Sequence, residues 1–168
     1  KEPFALYVGR LIERKGLVIA CRAAEAAGIP LKVIGHGNPS LVTNGAEYLG
    51  ALSTQERNDW MSRAQCLFAP TIYCEPFCST VVEAAMCGTP SITTDLGGFT
   101  ETVDHGFTGY RCNILGEFAR AVHDCKNLDP SFIRERAIEK YSIAAVAPKY
   151  QAYFERINTL WGKGWDTI

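Results

Sequence analysis

A chain of 168 residues has room for one domain with a sizeable core and hardly for two. Its 47% hydrophobic and 21% charged content is that of an ordinary globular protein, and a formal net charge of -1 removes any global pull towards nucleic acid or an anionic membrane. No apolar run approaches the roughly 20 residues that cross a bilayer, so no transmembrane segment is expected.

The opening KEPFALYVGR leads straight into a strand, and no signal peptide is expected. Strands are predicted at Phe4–Val8, Leu31–Ile34, Glu47–Leu49, Cys66–Ala69 and Ser91–Thr93, each a brief, mostly apolar run that meets Gly, Pro or a polar turn. Helices are predicted between them at Gly16–Ala27, Thr54–Ala64 and Thr80–Cys87. In the first, Leu17, Ala20, Cys21, Ala24 and Ala27 recur at helical spacing; the second opens on the capping-box residues Ser53 and Glu56. After a turn-like stretch at Gly109–Cys112 the pattern is purely helical. It gives Leu115–Asn127, Ser131–Lys140 and a long region from about Ser142 to Trp161, which Pro148 kinks or starts. Trp161 and Trp165 are expected to cap a packed helix or fold back on a neighbouring surface. This alternation predicts a single α/β domain over residues 1–168, a Rossmann-like parallel sheet with helices on both faces plus C-terminal helices.

Seven cysteines, an odd number with no C-x2-C pair, argue against a disulfide scaffold. Free, mostly buried thiols in a reducing cytoplasm are expected, in preference to a zinc site on Cys74, Cys78 and Cys87.

In an open parallel sheet, ligands bind beyond the carboxyl ends of the strands. Those ends carry Gly9-Arg10, Gly35-His36-Gly37, Gly50, Pro70–Cys78 and Thr94–Gly98. The stretch from Glu75 to Glu83 is the sharpest of them. Pro76 fits an extended turn, Ser79 or Thr80 can cap the following helix, and the amides around Phe77–Thr80 are free donors for a phosphate. Glu75 before the helix and Glu83 one turn inside it can flank a ligand and accept hydrogen bonds from vicinal hydroxyls. Spacing alone fits equally well a Glu83 paired with a surface cation and a solvated Glu75. Arg10, at the first strand tip, and Lys15, before the next helix, tilt the balance, since Arg can grip a diphosphate in a fork and Lys adds a point charge. Arg14 reads as a solvated neighbour, His123 as structural and His105 as a turn residue. The amides of Gly97 and Gly98 are further candidates for ligand contact.

GRLIERKG, VIGHG and above all APTIYCEPFCSTVVEAAMCGTPSITTDLGGFTETVDHGFTGYRC resemble the C-terminal domain of the retaining GT-B-type glycosyltransferases of group 1, or family four. The most specific element is a glutamate, seven residues and a second glutamate (Glu75 and Glu83) followed by Ala84-Ala85-Met86-Cys87-Gly88-Thr89-Pro90. The resemblance implies that Arg10 and Lys15 bind the donor diphosphate and Glu75 the hydroxyls of the transferred sugar. It gives Glu83 the ribose, sets backbone amides at Phe77, Cys78 and Ser79 against the sugar and phosphate, and lays the segment from Tyr48 through Leu49 to Leu52 against the base. Gly9, Gly35 and Gly37 complete the binding set, with Glu75, Arg10 and Lys15 as the catalytic candidates. The donor is a UDP-, GDP- or ADP-linked sugar, with no cofactor and no tightly held metal, in keeping with the absence of a D-x-D motif. Two positions depart from the family: Cys78 stands where glycine is usual, and Ser79 where an aliphatic residue is.

The resemblance also implies a partner, an N-terminal Rossmann-like domain in the same or another chain that holds the acceptor site. The chain alone is expected to bind a nucleotide sugar weakly without turnover, in the cytoplasm or peripheral to a membrane through the missing half. A non-catalytic sugar-nucleotide sensor or regulatory subunit is the alternative. A dinucleotide-binding oxidoreductase lacks its third glycine after Gly35-His36-Gly37, and a P-loop nucleotidase lacks its G-x-x-x-x-G-K-[ST].

Overall fold

The protein is described by a computed structural model covering residues 1–160. Six parallel strands, β1 (Glu2–Val8), β2 (Leu31–Ile34), β3 (Glu47–Tyr48), β4 (Ala64–Ala69), β5 (Ser91–Thr94) and β6 (Gly109–Cys112), form one sheet in the order β3-β2-β1-β4-β5-β6. The chain winds outward from β1 in one direction and from β4 in the other, so a crevice opens where these two central strands end.

Alternation along the strands explains the two covered faces. Ala5 and Tyr7 point into one apolar cluster, with Val33, Phe68 and the helices α1 (Leu17–Ala26) and α5 (Leu115–Asp124). Phe4, Leu6 and Val8 point into another. That second cluster is closed by Met61 of α2 (Thr54–Arg63), Val81 and Ala84 of α3 (Ser79–Met86) and Phe99 of α4 (Phe99–Thr102). Residues of opposite parity are thus both buried, which a sheet covered on both faces requires. The helix α6 (Pro130–Tyr141) packs Ile133 and Ala137 onto Ala85 of α3.

Several predicted boundaries move. Gly109–Cys112 is the sixth strand rather than a turn, paired in register from Ser91↔Gly109 to Thr94↔Cys112. Gly109 is required there, since a Cβ would stand 2.0 Å from the Ser91 carbonyl oxygen. β4 starts at Ala64, where α2 has just ended, and β3 shrinks to two residues. α5 stops at Asp124 and continues as a 3-10 turn to Asn127. The last helix, α7 (Ile143–Leu160), starts ahead of Pro148 and contains it, so Pro148 does not mark its beginning. Trp161 and Trp165 lie outside the described residues. All seven cysteines are free thiols, Cys21, Cys66, Cys112 and Cys125 fully buried. Among the described residues no helix is long and apolar enough to cross a membrane.

α6 is held to the loop below α4 by charge. Asp104 accepts from Arg136 Nε at 3.1 Å and from Lys140 Nζ at 3.1 Å. Partial burial pushes the Asp104 carboxyl up, but Arg136 and Lys140 outweigh it and hold its pKa below the ordinary 3.8. A depressed folded pKa stabilises above the unfolded value and is lost as pH falls through the folded one. Asp104→Asn is therefore expected to cost about 1 kcal/mol at neutral pH, a small figure because the group is a third exposed and screened. Urea melts of the two proteins should converge as pH falls below 3.8.

Candidate functional site

A cavity of about 490 Å³ fills the crevice beyond β1 and β4. Its floor is Gly9 and Arg10 after β1, and its far wall is Glu75, Phe77, Cys78 and Ser79 leading into α3. A second cavity of about 390 Å³ continues from it past Gly9, Arg10 and Thr80 to Gly35, Leu52 and Arg57. Shared lining residues make the two halves one cleft running across the tips of β4, β1 and β2.

Glu75 sits at the inner end, 7% exposed. Lys15 Nζ donates to its Oε2 at 2.5 Å, and Thr71 Oγ1 donates to the same oxygen at 3.3 Å. The Lys15 ammonium also stands 5.1 Å from the centre of the Tyr73 ring. Partial burial lowers the Lys15 pKa, but the hydrogen bond to Glu75 and the neighbouring Tyr73 more than offset this and leave it above its ordinary value. Lys15 is fully charged at neutral pH, and one of its three donors is committed to the carboxylate. Gly16 follows with φ 73 and packs on the Pro70 carbonyl, where a Cβ would lie 1.9 Å from the oxygen; this close approach brings the Lys15 turn up to the β4 tip.

Arg10 is exposed on the cleft floor and has no ion-pair partner among the described residues. Its carbonyl accepts from the buried Tyr7 hydroxyl at 3.1 Å, which fixes the turn but leaves the guanidinium free. Arg10 lines both halves of the cleft, and the inner half is also lined by the entrance to α3. That helix starts at Ser79, so Ser79 is its first residue and neither it nor Thr80 is the cap. The cap position is Cys78, in the left-handed region at φ 63 and ψ 77, with no capping side-chain bond. The amides of Phe77, Cys78, Ser79 and Thr80 donate to no backbone acceptor among the described residues, and all four residues line the cavity.

Cys78 lines the cavity and packs against the second cluster, its Sγ 3.3 Å from Thr80 Oγ1. Burial pushes its thiol pKa up, so it stays protonated at neutral pH. A left-handed angle costs a residue with a Cβ about 1–2 kcal/mol. Cys78→Gly should relieve that strain while losing the thiol contacts, for a net stability change within about 1 kcal/mol. Cys78→Val should lose about 2 kcal/mol, since a β-branched residue tolerates this angle worst. Denaturant midpoints of the two variants check the pair.

The remaining predicted residues separate. Gly35 and Gly37 hold β2's tip against β1's: a Cβ on Gly35 would lie 1.8 Å from the Gly9 carbonyl oxygen, and one on Gly37 2.5 Å from that of Leu11. Gly35 lines the outer cavity; Gly37 lines neither half of the cleft. Leu49 and Leu52 are both half-buried against the second cluster, but only Ala51 and Leu52 line the outer cavity; Leu49 lines neither half of the cleft. The Gly98 amide is spent on the Glu75 carbonyl at 2.6 Å and is not free for a ligand. Glu83 lines neither cavity; its Oε2 lies 3.6 Å from Arg57 Nη1. The cation that pairs Glu83 is thus itself a cleft residue. Thr71 and Tyr73 fall within the predicted strand-end stretch Pro70–Cys78 but were not singled out; Arg57 was not predicted, and it meets Glu83 across a sequence gap that local pattern does not register.

The family model described as "Glycosyl transferases group 1" matches residues 1–114. A phosphatidyl-myo-inositol mannosyltransferase of Propionibacterium freudenreichii subsp. shermanii is 32% identical over 118 residues, 66% of this chain and 31% of that protein. A Mycobacterium tuberculosis glycogen synthase is 32% identical over 150 residues, 79% of this chain and 36% of its own. Among solved structures, AviGT4, a glycosyltransferase involved in avilamycin A biosynthesis, superposes with a TM-score of 0.82 at 26% identity, over 94% of this chain and 52% of that one. The chain spans about a third of the length of the curated relatives it matches. It belongs to the group 1 glycosyl transferases and corresponds to their C-terminal domain.

Proposed function

We propose that this chain binds the nucleotide-sugar donor of a retaining glycosyl transfer. The supporting observation is the single cleft lined by a buried carboxylate with its lysine, by an arginine with no ion-pair partner among the described residues and by the four residues with unbonded amides that enter α3, with an outer cavity of nucleoside size. A diphosphate fits between the Arg10 guanidinium and the amides entering α3, where positive dipole and free donors coincide. Glu75 then lies on the inner side, able to accept from sugar hydroxyls with the oxygen that Lys15 and Thr71 leave free. The two remaining Lys15 donors point the same ammonium at the phosphate, so it serves both ligand and carboxylate. The nucleoside takes the outer cavity, with Glu83 at its ribose.

Charge development in such a transfer falls on the leaving diphosphate, and Arg10, Lys15 and the helix amides are the groups that stabilise it. The acceptor and the remaining catalytic groups come, in this reading, from an N-terminal Rossmann-like domain in the same or another chain. Thermal melts of the chain with UDP, GDP, ADP and their hexose conjugates test it. At least one conjugate should raise the melting temperature more than its bare nucleotide does, through binding to the folded state alone. No shift with any of the six would overturn the proposal.

A further inference from the structure

The outer cavity is unevenly supplied with hydrogen-bonding groups. Three strand-tip carbonyls at its edge are already used: Ile34 accepts from the Gly9 amide at 3.0 Å, Gly35 from the Tyr48 hydroxyl at 2.8 Å and His36 from the Leu11 amide at 2.7 Å. The Ser53 hydroxyl donates to the Glu56 carboxylate at 2.6 Å, inside the capping box of α2. Several acceptors at this edge are therefore already engaged. Donors are not, because Arg57 lines the cavity with a guanidinium whose contacts are slack. One terminal nitrogen reaches Thr54 Oγ1 at 3.4 Å, and the other stands 3.6 Å from Glu83 Oε2, beyond a good hydrogen bond.

The Glu83 side of this contact points the same way. Glu83 Oε2 is shielded from solvent yet has no hydrogen-bond partner. Its charge keeps the guanidinium over the cavity edge without consuming its N–H groups. A side chain with donors only, held by a carboxylate behind it, presents a fixed preference to whatever enters.

We propose that Arg57 is a specificity-determining residue of the cleft, and that its guanidinium selects a nucleobase bearing a ring carbonyl over one bearing an amino group in its place. The inference rests on the donor-site reading above, since it assigns the outer cavity to the nucleoside. A keto oxygen supplies the acceptor that Arg57 lacks. An exocyclic amine at the same point sets a donor against the guanidinium's own donors, and an unmatched buried polar group is what produces strong rejection. Uracil and guanine carry the favoured group; adenine carries the disfavoured one.

Inosine and adenosine diphosphates isolate the effect, because they differ in the keto or amino group at one ring position and the protonation of the adjacent nitrogen. Dissociation constants of both would be measured calorimetrically on the full chain, on Arg57→Met and on Arg57→Lys. The native chain should bind the inosine nucleotide at least about tenfold more tightly. Arg57→Met should shrink that ratio to within about twofold, and Arg57→Lys, which keeps a donor, should restore part of it. A general structural role for Arg57 would weaken both nucleotides together and leave the ratio unchanged, which overturns the inference. So would equal binding by the native chain, or a preference for adenosine. Failure of both to bind while UDP binds would also overturn the inference; failure of UDP and GDP as well would overturn the donor-site reading itself, an outcome separable from the others.

Discussion

Glu75→Gln is expected to lose both stability and the ability to distinguish a nucleotide sugar from its bare nucleotide. The carboxylate is 7% exposed, and its Oε2 takes bonds from Lys15 and Thr71. Gln keeps the shape but removes the charge, leaving the Lys15 ammonium, with an 18% exposed side chain, to face a neutral amide. Breaking a buried pair from one side costs up to about 3–5 kcal/mol; for this partly solvated pair about 2 kcal/mol is expected, read from urea midpoints at constant slope. The binding effect is separate. If Glu75 accepts from sugar hydroxyls, the preference for a hexose conjugate over its nucleotide should fall about tenfold, while affinity for the nucleotide alone changes little. An unaltered preference in a folded Glu75→Gln protein would remove Glu75 from the sugar site.

Arg10→Ala should show the opposite division. The side chain is exposed and unpaired among the described residues, so stability should stay within about 0.5 kcal/mol. Its proposed contact is a charge-assisted hydrogen bond to a diphosphate, each such bond being worth about 1.5–3 kcal/mol. Affinity for nucleoside diphosphates should fall between about tenfold and somewhat over a hundredfold, and for nucleosides hardly at all. Arg10→Lys should recover only part of the loss, because an ammonium cannot form the planar fork. A substitution that weakens nucleosides and diphosphates equally would place Arg10 outside the phosphate site.

The two mutants divide the cleft because the fold does. Glu75 and Lys15 are separated by 60 positions and meet only because β1 and β4 are neighbours in the sheet. Strand and helix positions were readable from sequence where both faces of a strand are apolar, as in Phe4–Val8, or where a helix repeats its apolar residues, as in α1. β6 escaped because Gly-Tyr-Arg-Cys is short and mixed in polarity, and its pairing depends on a backbone approach that only Gly109 permits. The start of α3 was misplaced for a related reason. Ser79 and Thr80 look like caps, but the turn is made by a left-handed Cys78, a conformation that residue type does not announce.

The candidate site divides along the same line. Glycines, the Arg10 turn and the glutamate pair could be located because strand ends are marked by composition. What each side chain touches could not. Lys15 is committed to Glu75, Leu49 to the core and Glu83 to Arg57. These are contacts between elements, set by sheet order and helix packing. Arg57 entered the site the same way, from α2, whereas Thr71 reaches Glu75 within the loop after β4.

The central claim is that the cleft between β1 and β4 holds a nucleotide sugar through Arg10 and Glu75. Calorimetric titration of one stabilising nucleotide sugar, and of its nucleotide, into the native chain, Arg10→Ala and Glu75→Gln tests it most directly. Saturable binding by the native chain is expected, with loss of both ligands' affinity in Arg10→Ala and loss only of the sugar's advantage in Glu75→Gln. Native affinity for both ligands in both folded variants would contradict it.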